Sequence, residues 1–316
     1  FEPNGSGPAG KNSYRPIQQR SSLDRWIMAE LHRTIKQTTD RLDELQIHPA
    51  AGSLCEFVDV LSNWYVRRSR NRFWKSEIDA DKLDAYWTLY ECLTTLSKVL
   101  APFTPFFAEA MYQNLLRTQL GESVPESVHL TDWPMADESL INHELLERMS
   151  LVREVVALGR SARAAEKIKV RQPLAEVELV LVNLEKAKIL EEYIDLIKEE
   201  LNVKDVKFVT QANKYVDYII KPNFKALGPK FGPLAPKIKQ ALTTIDGGKA
   251  RTLLVSTGKF PLTVEGQQVE LGSEEVEIGL QSHPGFAAAQ GPDVLVVLKT
   301  QIDEQLRLEG QARELV

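Results

Sequence analysis

The chain has 316 residues, of which 43% are hydrophobic, and its formal net charge is −5. This length is sufficient for two or three domains with their own hydrophobic cores. The net negative charge argues against a protein that coats nucleic acid over its whole surface, although it allows a local basic patch. No apolar run reaches membrane-spanning length and no signal peptide is visible, so we expect a cytoplasmic protein without a membrane partner.

Motifs for metal binding and for catalysis are missing from the sequence. The two cysteines are not in a Cys-x-x-Cys spacing, and no His-x-x-x-His occurs, which predicts no metal site. The five histidines are scattered and suggest no Ser/His/Asp grouping. No glycine-rich phosphate loop follows a predicted strand. We therefore predict no catalytic residue and no cofactor in these 316 residues.

The first half of the chain is predicted to be helical. Residues 1–21 are polar and rich in Gly, Pro, Asn and Ser, which indicates a linker or an extended arm. Apolar residues at helical spacing then predict five helices, with Ser22 as the first cap. These helices cover residues 22–45, about 49–75, 82–100, 106–120 and 140–165. Short joins between apolar-striped helices are typical of an antiparallel bundle, which we place at residues 22–166.

The second half changes to mixed α/β structure. Strands at 177–182, 203–210 and 215–221, with a helix at 184–201, predict a small α/β junction unit over residues 167–222. A further mixed α/β region is predicted over residues 223–316. Its short helices are expected at 235–245 and 248–257, its strands at 262–264, 269–271, 276–278 and 294–298, and its last helix from 302 onward. The predicted fold class is a multidomain α plus α/β protein, and Phe1 is not a natural start, so we expect a piece of a longer chain.

Residues 62–75 are the most basic and most aromatic segment. They hold four arginines, one lysine, two tryptophans and a tyrosine. The planar guanidinium group suits phosphate, and aromatic faces offer stacking surfaces to bases. At about 100° per residue, one set of side chains falls mostly opposite the apolar stripe of this helix. This predicted RNA-facing set is Trp64, Arg67, Arg70, Asn71 and Trp74, and Lys75 at the end of the segment is a further tRNA-binding candidate.

Two arginines of the same segment have a different predicted role. Arg68 and Arg72 lie near the apolar stripe, so we expect them to pair with carboxylates at the edge of the core. A purely solvated basic face is the alternative, since charge runs commonly have no other role. Tryptophans on the open face argue against that alternative, because exposed tryptophan is uncommon without a partner.

The segment resembles the anticodon-binding signature of the class Ia aminoacyl-tRNA synthetases, in which a Trp-Tyr pair precedes spaced arginines and a Phe-Trp. Other stretches agree, and the resemblance extends from about Leu23 to Val316. They are DRWI at 24–27, LAPFTPF at 100–106, IKVRQPL at 168–174, NFKALGPKFG at 223–232 and GQARELV at 310–316. The resemblance implies that the bundle binds the anticodon arm of a tRNA.

The last two motifs favour the isoleucine branch of this family, in its archaeal/eukaryotic-like form. The valine branch is the nearest alternative, although it is expected to end in a coiled-coil arm. The resemblance implies a monomeric parent enzyme that attaches isoleucine to tRNA using ATP with Mg²⁺, has a separate domain that edits mischarged valine, and can hold zinc. The His-Ile-Gly-His and Lys-Met-Ser-Lys-Ser signatures are absent, so we expect no ligase activity from these residues alone.

Further basic residues form a second candidate contact. Lys167, Lys169 and Arg171 alternate with apolar residues and are followed by Gln172, so their side chains are expected to point one way. Both an RNA contact, made by Lys169 and Arg171, and a hinge with Arg171 tied to a bundle carboxylate fit this pattern. Lys230 lies between Gly-Pro and Phe-Gly and is the remaining RNA candidate. A helical scaffold that binds protein, with the tryptophans as hot spots, is the alternative function.

Overall fold

The computed structural model describes residues 14–181, 183–211 and 214–314. The chain divides into two compact units, one up to Met149 and the other from Ser150. The first is helical, and the second combines helices with three small sheets. The predicted fold class is confirmed. Residues 1–13 of the predicted linker, and Leu315 and Val316 of the last motif, lie outside the described residues.

The helices of the first unit follow the predicted order. They are α1 Ser22–Asp43, α2 Ile47–Val60, α3 Arg70–Trp74, α4 Ala80–Leu100, α5 Pro105–Tyr112 and α6 Thr118–Leu120, and α7 His143–Ala165 continues into the second unit. Ser21, rather than Ser22, caps α1, because its hydroxyl accepts from the backbone N–H of Asp24. The Pro-containing junction ends α4 and places Pro105 at the first turn of α5, where its missing N–H costs nothing.

Two segments predicted as continuous helix contain wider π turns. Residues Leu61–Val66 form one after α2, and Gln113–Arg117 form the other after α5. The first is followed by a turn at Ser69, so α3 is a separate short helix. A helical wheel drawn through residues 49–75 therefore does not hold for Arg70–Trp74.

The end of the predicted linker is anchored to α4. Arg20 is buried, and its guanidinium donates to Thr88 Oγ1 at 2.9 Å and to the Glu91 carboxylate at 2.9 and 3.2 Å. Arg15 pairs with Asp84 of the same helix. Residues 14–21 are thus part of the packed helical unit.

The long segment between α6 and α7 is held against α1. The indole N–H of Trp133 donates to Thr39 Oγ1 at 2.9 Å, and the backbone N–H of Asp137 donates to His32 Nδ1 at 3.0 Å. Burial lowers the pKa of His32 and favours the neutral imidazole that can accept this hydrogen bond.

Besides the end of α7, the described residues of the second unit form eight strands and six further α-helices. The strands are β1 Leu174–Leu181, β2 Val203–Val209, β3 Val216–Pro222, β4 Lys259–Val264, β5 Gln267–Gly272, β6 Val276–Ser282, β7 Phe286–Gln290 and β8 Val294–Lys299. The helices are α8 Leu184–Glu191, α9 Ile194–Leu201, α10 Phe224–Phe231, α11 Ala235–Leu242, α12 Gly247–Thr257 and α13 Glu304–Glu314.

The largest sheet has the strand order β2-β1-β8-β7, with β1 and β2 parallel and the other pairs antiparallel. Strands β3 and β6 form a second sheet, and the β4–β5 hairpin forms a third. Every residue of β8 up to Leu298 is buried, which explains why this strand reads as a continuous apolar run.

Two elements of the second unit were not predicted. Strand β7 has the sequence FAAAQ, and alanine has little intrinsic strand preference, so pairing with β8 determines its structure. Helix α10 contains Pro229, a residue that disfavours a helix interior, and no element was predicted at these positions. It forms because Asn223 caps its start and Leu227 is fully buried in the core of the unit.

Candidate nucleic-acid interface

Helix α3 presents a cation and an aromatic ring together on its outer face. Trp74 is 78% exposed, and the Arg70 guanidinium carbon lies 5.9 Å from the centre of its indole ring. The two residues are four apart and therefore share one face of the helix. Arg70 has no carboxylate within ion-pair distance among the described residues, so its charge is available to an anionic ligand. This stacked pair offers a flat surface next to a positive charge.

The inner face of α3 is fixed by a buried ion pair. Arg72 donates through both terminal nitrogens to the two carboxylate oxygens of Asp24, at 2.8 and 2.7 Å. Its Nε also donates to Asp81 at 3.0 Å. Since residues two positions apart on a helix face different ways, an inward Arg72 directs Arg70 and Trp74 outward. The structure thus places Arg72 in the carboxylate pair expected from the sequence.

Asp24 connects three parts of the bundle. Besides Arg72, it accepts hydrogen bonds from the Tyr65 hydroxyl at 2.7 Å and from the Ser21 hydroxyl at 2.7 Å. Burial alone would raise the pKa of Asp24, but the hydrogen bonds from Arg72, Tyr65 and Ser21 outweigh burial and lower it. Burial, and then the charge of Asp24, raise the pKa of Tyr65. Asp24 is therefore ionised in the folded protein and accepts every one of these bonds.

Trp64 does not lie on the exposed face, and its predicted exposure is wrong. Its side chain is only 7% exposed, whereas the apolar side chain of Val58 in α2 is 42% exposed. Trp64 lies three residues after Leu61 and seven after Phe57, which are the positions of a wide apolar stripe. The buried face is rotated towards Trp64, so its ring contributes to the core and not to a stacking surface.

The other predicted residues of this segment differ in how available they are. Arg67 is exposed, and its Nε donates to the carbonyl of Asn63 at 2.8 Å, while Asn71 is exposed and Arg68 is half-buried. The Lys75 ammonium lies between two carboxylates, 2.6 Å from Asp79 and 3.3 Å from Asp81. Arg70 and Trp74 therefore make the stronger interface, since nearby carboxylates largely compensate the charge of Lys75.

The second predicted cluster lies on a turn and not on an extended strand. Lys167 follows the end of α7 with a φ of 56°, and the backbone N–H groups of Lys167 and Ile168 close a helix-terminating motif by donating to the carbonyls of Ala164 and Arg163. The predicted alternation of side chains is therefore wrong, because residues 166–172 bend instead of extending. Lys169 pairs with Glu314 at 2.5 Å, and Arg171 donates to the carbonyl of Arg313 at 3.2 Å.

Arg163, which was not among the predicted site residues, holds this turn in place. It is 1% exposed, and its terminal nitrogens donate to backbone carbonyls among the described residues. Those acceptors are Lys169 at 3.1 Å, Gln172 at 2.9 Å, Leu201 at 2.6 Å and Asn202 at 3.1 Å. Burial lowers the pKa of Arg163 to about 10. The sequence signal was its helical spacing after Val152, Val156 and Gly159, which places it on the apolar face of α7.

Two motifs from the sequence meet at this turn. The side-chain amide of Gln172 donates to the carbonyl of Leu306 at 2.9 Å, and a Cβ on Gly310 would lie 2.3 Å from Gln172 Oε1. Gly310 therefore allows α13 to pack directly on the turn. Arg171 contacts this helix, so the alternative of a bundle carboxylate does not describe its observed hydrogen bond.

Lys230, the last predicted contact, is positioned by its own ion pair. Its ammonium lies 2.7 Å from the carboxylate of Glu275, which is buried, and 5.5 Å from the ring centre of Phe231. The hydrogen bond from Lys230 lowers the pKa of Glu275. This arrangement stabilises the end of α10 and leaves Lys230 a weaker candidate for phosphate.

In residues 14–181, 183–211 and 214–314, no group of three or more His, Cys, Asp or Glu side chains is arranged to hold a metal ion. None of the helices in this part of the chain is both long enough and apolar enough to span a membrane.

Comparison with known proteins gives one family. Residues 24–179 match the model of the anticodon-binding domain of tRNA ligase. Over 96% of its length the chain is 43% identical to the isoleucine–tRNA ligase of Clostridium acetobutylicum and 41% identical to that of Clostridium tetani. Over 94% of its length it is 40% identical to the isoleucine–tRNA ligase of Chlamydia trachomatis serovar D. The chain spans 28–29% of the length of these relatives.

Proposed function

Because the chain belongs to the tRNA ligases that carry this anticodon-binding domain, we propose that residues 24–179 bind the anticodon arm of a tRNA. The observation that carries the proposal is the stacked Arg70–Trp74 pair, with its ring 78% exposed and its guanidinium 5.9 Å from the ring centre. Bases of an RNA loop are unstacked and can lie on an aromatic face, while an adjacent phosphate pairs with the arginine.

Arg67 would extend this surface by one turn, and Asn71 would supply a polar group beside it. The turn after α7 would form the second contact chiefly through Arg171, because Lys169 already pairs with Glu314. Arg163 supports that role, since it fixes the backbone beneath both side chains. Lys75 and Lys230 would contribute mainly long-range attraction, because each already pairs with a carboxylate.

The chain would form this part of a monomeric, cytoplasmic isoleucine–tRNA ligase. Identities of 40–43% to isoleucine–tRNA ligases over nearly the whole chain support the isoleucine branch rather than the valine branch. The complete protein would use ATP with Mg²⁺ to attach isoleucine to its tRNA, with editing and zinc as properties of other regions. These residues alone would give no isoleucine-dependent exchange of pyrophosphate into ATP. Detectable exchange would contradict the assignment of the catalytic site to other regions of the complete protein.

A salt titration tests the RNA surface. Arg70→Ala should lower the slope of log K against log salt by about 0.7–0.9, because one phosphate contact is lost. Trp74→Ala should weaken binding of an anticodon stem–loop by about 1–3 kcal/mol while leaving the salt slope unchanged, because it removes stacking and no charge.

Matched controls are available in the same unit. Phe106→Ala removes another exposed ring, which is 91% exposed, and Arg148→Ala removes an arginine that pairs with Glu144. Both should bind as the parent does. Parental affinity and salt slope in both Arg70→Ala and Trp74→Ala would refute the assignment of this face.

Phe106 and the adjacent Phe107 favour an additional protein contact. They are 91% and 62% exposed at the start of α5, and neighbouring exposed rings are characteristic of interaction surfaces. We propose that they pack against another region of the same synthetase polypeptide. A non-RNA scaffold would depend on these rings and not on Arg70, so stem–loop binding that is independent of Arg70 and of loop sequence would favour it.

A further inference from the structure

A cavity of about 1020 Å³ lies in the second unit beside the four-stranded sheet. Val180 at the end of β1 and Thr210 and Gln211 just after β2 line one side. Strands β1 and β2 are adjacent and parallel, so their carboxyl ends open on the same side. Crevices outside the carboxyl ends of parallel strands are where open α/β sheets bind ligands. Helix α12 and Tyr218 of β3 line the cavity as well.

A cation stacked on an aromatic ring forms part of the cavity wall. The guanidinium carbon of Arg251 lies 4.8 Å from the ring centre of Tyr218. Arg251 is half-buried, yet among the described residues it has no carboxylate within ion-pair distance and donates no hydrogen bond. None of its guanidinium nitrogens is among the buried side-chain atoms that have no partner, so they are open to the cavity and can donate to a polar ligand there. The planar group therefore presents one face and its N–H edge to whatever occupies the cavity.

The Gly247-Gly248 pair explains how Arg251 reaches this position. A Cβ on Gly247 would lie 1.7 Å from the backbone oxygen of Tyr218, so only glycine allows α12 to approach β3 this closely. Arg251 follows one helical turn later and is carried over the Tyr218 ring by that approach. The two glycines thus position a side chain at the cavity, besides forming a turn.

The remaining lining combines apolar side chains, among them Val294 and Leu295, with polar groups, and its charges are nearly balanced. Amide and hydroxyl groups supply both donors and acceptors; they belong to Thr210, Gln211, Thr252 and Gln290. Asp293 pairs with Lys186 at 2.5 Å, and Asp246 caps α12 by accepting from the backbone N–H of Lys249 at 3.1 Å. The start of α12 is therefore already occupied by a carboxylate. This balance disfavours a run of phosphates and favours one flat, uncharged, polar group.

We propose that the cavity holds a single unstacked nucleobase of the RNA that this chain binds. The base lies against the open face of the Arg251 guanidinium, with Tyr218 behind it, and the amides of Gln211 and Gln290 contact its edge. Stacking on a planar cation and hydrogen bonding to a base edge are how proteins read splayed bases. The assignment depends on the proposed RNA binding, and a free mononucleotide would offer the same base chemistry.

The test uses the whole chain and a short RNA hairpin with 2-aminopurine at one loop position at a time. We expect one loop position to change its fluorescence on binding, and we expect Arg251→Ala to abolish that change and weaken binding about tenfold. Arg251→Lys should not restore either property, because it keeps the charge and loses the planar face. Lys239→Ala is the control, since Lys239 makes the same kind of contact with Phe224, at 6.0 Å, and does not line the cavity.

Several outcomes would overturn the assignment. Parental binding and fluorescence in both Arg251→Ala and Tyr218→Leu would do so, and full rescue by Arg251→Lys would indicate a phosphate contact. In calorimetry with AMP, binding that depends on Arg251 but is not displaced by the hairpin would assign the cavity to a free nucleotide. Hairpin binding that needs Arg70 and not Arg251 would refute the cavity assignment alone, whereas no hairpin binding at all would refute the proposed function as well.

Discussion

Replacing Arg72 by alanine should destabilise the first unit strongly, because it leaves a buried carboxylate without its main partner. Asp24 has no exposed surface, and Arg72 is 15% exposed in its side chain. Removing one member of a buried ion pair typically costs about 3–5 kcal/mol. Tyr65 and Ser21 still donate to Asp24 in the variant, so we expect a loss near the lower end, about 3 kcal/mol.

The pH dependence of this loss follows from the pKa of Asp24. In the parent the folded-state pKa is lowered, so Asp24 contributes stability above its unfolded pKa, and that stability is lost as pH falls through the folded value. In Arg72→Ala burial remains without the guanidinium, so the pKa should rise above the unfolded value. The variant can then take up a proton as it folds, and its deficit relative to the parent should shrink as pH falls from neutral towards the unfolded pKa of about 4.

Urea unfolding monitored by tryptophan fluorescence measures this loss in the correct unit. All five tryptophans lie before Met149, so the signal reports on the helical unit and not on the second. Adding Asp24→Asn to Arg72→Ala should recover part of the loss, because it removes the stranded charge. A loss below about 1 kcal/mol at neutral pH, or a double variant no more stable than Arg72→Ala, would refute the role given to this pair.

The other predictions concern the remaining buried groups. Arg163→Met should cost about 3 kcal/mol or more in urea unfolding, since it leaves four backbone carbonyls without their donor, and it should also weaken stem–loop binding. His32→Asn keeps a neutral acceptor for the backbone N–H of Asp137 but removes the titrating imidazole. Because burial lowers the pKa of His32 in the folded protein, the free energy of unfolding of the parent should fall relative to that of the variant as pH falls below about 6.5. Gly247→Ala should destabilise the protein by more than about 2 kcal/mol, because the new Cβ would lie 1.7 Å from the backbone oxygen of Tyr218. Gly52→Ala should instead stabilise it by up to about 1 kcal/mol, because Gly52 lies inside α2 and no atom is within 4 Å of the new Cβ. Thermal unfolding of each variant against the parent tests both signs.

The order and type of most elements could be predicted because apolar spacing determines which face of a helix or strand is buried. The prediction was wrong where spacing is ambiguous. Trp64 is compatible with the edge of either face, and the bulk of an indole ring, together with the exposure of Val58, decides for the core. Strand β7 carries no spacing signal in its three alanines, so only its pairing with β8 reveals it.

Sites that depend on contacts between distant residues were beyond a single sequence. Arg163 contacts carbonyls up to 39 positions away, and Arg251 stacks on a tyrosine 33 positions earlier, so neither contact appears as a local motif. Arg72 is different, because a basic residue near an apolar stripe must find a carboxylate wherever the chain brings one. The need for a partner was predictable, while its identity as Asp24 required the structure.

The exposed Arg70–Trp74 pair of α3 depends on the buried ion pair between Arg72 and Asp24. The helix is only five residues long, which is too short to hold its orientation without tertiary contacts. Arg72 supplies that contact through Asp24, and positions 70 and 74 face outward because position 72 faces inward. Loss of Arg72 should therefore reduce both stability and RNA binding, whereas loss of Arg70 or Trp74 should reduce binding alone. An Arg72→Ala variant that unfolds more easily yet binds the stem–loop with parental affinity below its unfolding midpoint would separate the two faces and show that α3 is oriented by other contacts.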